Sequence, residues 1–184
     1  MVRTSLAVVS STIILFVWGS LSWSLFPWHQ PREFKDAAAV GEVIKAHTDG
    51  HGVYAYPSWK QGEGRTPADM EKEWAEGPYI WATVRPGSRP DLDIGGIMLR
   101  QVGIVLLASV TLLFLIQKSK HNAFLDRLSI AVLAGLLTGI LSALPQWNWL
   151  ETPGRETLAF FFDGIISITL AGAAIALILP KRAA

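Results

Sequence analysis

Residues 21–34 read LSWSLFPWHQPREF. An apolar run stops at Pro27, and Trp28 and His29 follow. A second proline, Pro31, comes next, and then mixed charge. Proline breaks a helix from within, and indole favours the zone between hydrocarbon and water. The stretch therefore reads as the lip of a membrane helix that leads into a polar segment. A second reading makes it the rim of a site that uses His29.

Working outward, the 184 residues are 51% hydrophobic and 17% charged, against about 25% charged in an ordinary soluble domain. The missing charge is concentrated in four apolar runs. A membrane helix needs roughly 20 such residues. The expected segments are a first span at 5–28, an extramembrane module at 29–96 and a second span at 97–117. A cytoplasmic loop at 118–127, a third span at 128–145 closed by Pro145, an outer loop at 146–156 and a fourth span at 157–180 complete the chain. The fold class is mainly α: a four-transmembrane-helix bundle with a small α+β periplasmic insertion between spans one and two. The first run resembles a signal peptide near Ser20-Leu21-Ser22, but its apolar character continues to Phe26, so it reads as an uncleaved anchor.

Basic residues near span ends set orientation. Arg3, Lys118, Lys120, Arg127, Lys181 and Arg182 fall on one side, which places both termini in the cytoplasm. Trp23, Trp28, Trp147 and Trp149 fall at the opposite ends. The formal net charge is only +1, which gives no basic surface for nucleic acid. The absence of cysteine excludes disulfides, thiol nucleophiles and thiolate-bound clusters. No His-x-x-x-His helix or carboxylate–histidine cluster suggests a metal.

The insertion carries eight Lys and Arg against eleven Asp and Glu between His29 and Gly96. Apolar residues at three- and four-residue steps predict a helix from Glu33 to His47. GVYAY at 52–56 and YIWATV at 79–84 predict two strands. Thr66, Pro67 and Asp69 predict the start of a second helix.

Asp163 lies six residues beyond Thr157, roughly 9 Å down the fourth span at 1.5 Å per residue. A charge there needs a partner or a task. Arg100, near the start of span two, is the expected ion-pair partner. Alternatively Trp28, His29, Asn148 and Asp163 converge around the headgroup of a quinone, lipid or similar amphiphile. Span three repeats small residues at Ala131, Gly135, Gly139 and Ala143, a face for close helix contact as bundle core or dimer seam, and Gly172 adds to it from span four. Trp18 is expected to need that small face as its partner.

The strings WGSLSWSLFPWH, GVYAYP, GPYIWATVRP and NWLETP resemble an uncharacterised bacterial family of small membrane proteins with one span, an outer insertion and three further spans. That resemblance implies a bacterial inner membrane and implies no activity. The functional expectation is a non-enzymatic accessory, assembly or structural subunit of a larger membrane complex, an energy-converting one included, with membrane lipids and another protein as partners. The alternatives are the amphiphile-binding module and, last, a small oligomeric transporter or channel.

Overall fold

The computed structural model describes residues 2–58, 64, 66–89, 92–119 and 122–180. Lys120, His121, Lys181 and Arg182 lie outside the described residues. In chain order the elements are α1 (Val2–Leu25), a turn of 3-10 helix at Pro27–His29, α2 (Ala37–Ala46), β1 (Gly52–Tyr56), α3 (Pro67–Glu76), β2 (Ile80–Val84), α4 (Ile94–Lys118), α5 (Phe124–Leu150) and α6 (Gly154–Ile178). The four long helices are each apolar enough to cross a bilayer. The chain is a mainly helical, multi-span membrane protein with a small hairpin-and-helix insertion between spans one and two. It divides into two units, residues 1–31 with 93–184, and residues 32–92.

The membrane unit is built on the α5–α6 seam. Gly135, Gly139, Ala131 and Ala143 are buried along one face of α5. A β-carbon on Gly139 would lie 2.8 Å from the Phe161 carbonyl oxygen, and one on Gly135 would lie 3.1 Å from the Ile165 backbone. One on Gly172 would overlap the side chain of Ala131. Glycine and alanine thus let the two backbones touch, which is how helices associate in hydrocarbon. On its other side α6 packs against α1, and α1 also packs against α4. Because α1 takes this position, α4 meets α5 and α6 only lightly. A cleft of about 470 Å³ remains, lined by Val105, Ala108 and Thr111 of α4 and by Thr138 of α5.

Two helix ends differ from the sequence-based expectation. The apolar pattern predicts closure of the third span at Pro145, yet α5 continues through it to Leu150. Proline removes one backbone donor and disturbs the turn behind it. The Gln146 side-chain amide donates to the Ser142 carbonyl at 2.8 Å in that turn. The helix ends instead at Glu151, which takes the left-handed conformation (φ 50) common after a helix C-terminus. The connection to α6 is then far shorter than the expected 146–156.

The second difference concerns Arg127, expected in the loop before span three. It lies in the first turn of α5 and is 4% exposed. Its guanidinium donates to the carbonyls of Leu179 and Pro180, each at 2.8 Å. The last carbonyls of a helix have no internal donors and carry partial negative charge. Arg127 supplies both donors and positive charge to the end of α6.

In the insertion, β1 and β2 pair antiparallel, from Gly52 with Val84 to Tyr56 with Ile80. The first helix starts at Ala37 rather than Glu33, because the Asp36 carboxylate accepts from the Ala39 N–H at 2.9 Å and caps it. Thr66 and Asp69 cap α3 reciprocally: Asp69 N–H donates to the Thr66 hydroxyl, and Thr66 N–H to the Asp69 carboxylate. Neither α2 nor α3 contains a buried residue.

Candidate functional site around Asp163

The site begins with a spacing. Trp18 and Ser22 are four apart on α1 and so share one face of the helix. That face meets α6, and both side chains reach Asp163. The Trp18 indole N–H donates to Oδ1 at 2.6 Å, and the Ser22 hydroxyl donates to the same oxygen at 2.8 Å. A carboxylate in an apolar span is costly unless donors surround it. Here two polar side chains from the first span meet that need for the fourth.

The lip completes the arrangement. Phe26 is extended (φ −91, ψ 135) before Pro27, as a residue preceding proline tends to be. The helix therefore stops, and one tight turn folds Trp28 and His29 back over its end. The Trp28 indole N–H points between the Ser22 carbonyl and hydroxyl oxygens, 3.1 Å from each. Trp28, Ser22 and Asp163 thus form a relay of donors ending on one carboxylate oxygen. At the start of α6 the Arg155 guanidinium donates to the Pro27 carbonyl.

His29 is set differently. Its ring stacks on Trp23, with centroids 4.3 Å apart and planes 6° from parallel, and it lies 5.2 Å from the Phe160 ring. Its side chain is 1% exposed and that of Asp163 is 18% exposed. His29 Nε2 stands 3.5 Å from Asp163 Oδ2, within ion-pair range, but makes no hydrogen bond. The two carboxylate oxygens therefore have different surroundings. Oδ1 takes two short bonds, and Oδ2 faces an imidazole nitrogen.

Of the residues singled out by sequence, Trp28, His29 and Asp163 come together, and Asn148 does not. Asn148 is exposed near the C-terminal end of α5. Arg100 is also exposed and is not the partner of Asp163, whose contacts come from α1 and the lip. α1 packs against both α4 and α6, which themselves meet only lightly. Trp18 likewise finds its partner on α6 and not on the small face of α5. Sequence reasoning misses Ser22 and Arg127 as site residues. The sequence does hold a signal for Ser22: its spacing from Trp18 puts a hydroxyl and an indole on one face of an apolar helix.

Chemically, the cluster holds a carboxylate, an imidazole and three indoles, with the imidazole sealed among its neighbours. Among the described residues, no group of three or more His, Cys, Asp or Glu side chains is arranged to hold a metal. The class this fold and site define is a multi-span helical membrane protein, with no metal-binding constellation among the described residues. Comparison with family models, with curated proteins and with solved structures finds no match to the chain.

Proposed function

We propose that this chain is a non-enzymatic scaffold subunit of a bacterial inner-membrane complex, with both termini in the cytoplasm and its insertion presented in the periplasm to a protein partner. The observation that carries this reading is how little of the insertion's apolar surface is covered. Phe34 is 64% and Val43 60% exposed. Between α2 and the face of the hairpin carrying Tyr54, Ala82 and Val84 lies a cleft of about 480 Å³ lined by apolar side chains. The polar groups at its edge are satisfied locally, since Thr48 donates to the Ile44 carbonyl and Tyr54 to the Gly50 carbonyl. A contiguous apolar surface of this kind in water marks an interaction site.

The partner suited to it presents an apolar ridge with basic flanks. The insertion's overall surplus of Asp and Glu favours a basic partner. The membrane unit fits the supporting role. Asp163, the acidic residue inside a span, is engaged in holding α1 and the lip to α6, which leaves it poorly placed to line a transport path. The amphiphile reading loses support from the same geometry, because His29 is sealed and Asn148 stands apart.

The test is affinity purification of the intact protein from native membranes in mild detergent. A stoichiometric protein partner with a basic, apolar contact surface is expected. Val43→Asp should lower its recovery about tenfold or more, as a charge in an apolar contact does, without unfolding a residue that is already exposed. Recovery of the chain alone, or equal recovery by Val43→Asp, removes the reading.

A further inference from the structure

We infer that the outer edge of β1 takes an extended segment of a partner protein as a third strand. The inference rests on the scaffold reading and names the form in which its partner docks. The sheet holds β1 and β2 alone, and a hairpin of two strands is marginal in water. Pairing with β2 uses one side of β1. On the other side, among the described residues, no backbone group of Gly52–Tyr56 is bonded by backbone outside the hairpin. Proteins normally blunt such an edge with proline, charge or a bulge. The β1 sequence GVYAY has neither proline nor charge, and its register against β2 runs unbroken from Gly52 to Tyr56.

The chemistry of the edge selects its occupant. It presents amide donors and carbonyl acceptors in alternation, over roughly 17 Å at about 3.4 Å per residue. A helix has already paired its backbone groups internally, whereas an extended chain brings them free. The side chains say what that chain carries. Tyr54 stands opposite Ala82, and both line the apolar cleft beside α2. Strand residues alternate between faces, so a residue docked beside Tyr54 falls on the cleft side and covers it. On the other face Val53 is 58% exposed, and Trp81, the partner of Ala55, is 43% exposed. The incoming strand is therefore apolar toward both faces. Its positive charge belongs at its ends, where it meets the insertion's surplus of Asp and Glu.

Tyr54 also keeps the edge ready. Its hydroxyl donates to the Gly50 carbonyl at 2.9 Å and accepts from the Gly50 N–H at 3.2 Å. These bonds close the turn that leads into β1, so less order has to be gained on docking.

The experiment uses the full chain in nanodiscs and a synthetic peptide with the sequence of residues 79–85, YIWATVR. That peptide is apolar with one basic end, and its central five residues already match the inner side of β1. A second peptide is N-methylated at the positions of Ile80–Val84. It keeps the side chains and loses the backbone donors of both edges. With saturating unmodified peptide, amide hydrogen exchange at Gly52–Tyr56 should slow about tenfold or more, and the methylated peptide should bind about tenfold or more weakly, as the loss of several backbone hydrogen bonds requires. Unchanged exchange in β1, equal affinity of the two peptides, or faster exchange at Ile80–Val84, the mark of β2 being displaced, overturns the proposal. The scaffold reading has its own readout, recovery of a partner from native membranes. A partner recovered without strand capture by β1 would leave that reading standing and this one refuted.

Discussion

Arg127 and Asp163 show how a single charge is stabilised inside an apolar segment, by opposite means. Asp163 gathers neutral donors from another helix, and Arg127 gathers backbone acceptors at the end of another helix. Both join α6 to something distant in sequence. Arg127→Met leaves the Leu179 and Pro180 carbonyls without those donors. Hydrogen bonds to a charged group are worth about 1.5–3 kcal/mol each, while polar contacts within membranes average about 0.6 kcal/mol. A loss of roughly 1–4 kcal/mol is expected, measured as a lower unfolding midpoint in a denaturing-detergent titration. Arg127→Lys should recover only part of it, because a lysine does not present the planar fork that spans two carbonyls. In the sequence this arginine reads only as a topogenic charge. What it touches is not legible there, because the carbonyls it caps lie 52 and 53 residues away and belong to the backbone, which has no sequence signature.

Among the elements, α5 is the most legible. Its four-residue repeat of Ala and Gly announces a close contact, and α6 is the surface that fills it. Gly139 is the tightest point at which a test is clean. Gly139→Val would drive a branched side chain into the Phe161 carbonyl and ring. Overpacking of this kind costs about 1–3 kcal/mol, and the backbone target here leaves little room to adjust. The expected outcome is loss of a disulfide cross-link engineered across the α5–α6 seam. Gly103, where an added β-carbon would meet nothing within 4 Å, should accept the same change without effect. The end of α5 is less legible. A proline usually terminates a helix, and sequence alone does not reveal that a neighbouring glutamine amide will serve the disturbed turn. The packing partner of α4 is hidden for a similar reason: the order in which helices pack is set by side-chain fit, and the hydrophobic pattern does not encode it.

At the scale of the whole molecule, the four spans and the inserted hairpin with its helices follow from length, apolar periodicity and turn residues. The arrangement of the spans does not. Opposite charges in spans two and four suggest a direct pair, whereas the first span supplies the donors to the acid. Half of the cluster can be seen in the sequence, because Trp28 and His29 follow a helix-ending proline. The rest depends on the lip folding back, which no local pattern announces.

Trp18 and its carboxylate partner are separated by 145 positions in the chain. During synthesis the first helix leaves the ribosome long before the last one exists. Until then its indole and serine hydroxyl sit in lipid without their acceptor, and domains generally mature in the order they are made. The opening segment must therefore wait in the bilayer for the closing one. A chain ending at Leu150 should insert yet stay susceptible to membrane proteases, and co-expression of residues 151–184 as a separate piece should restore its lifetime in a pulse-chase measurement. Completion of biosynthesis, and not only the finished sequence, would then decide whether the bundle survives.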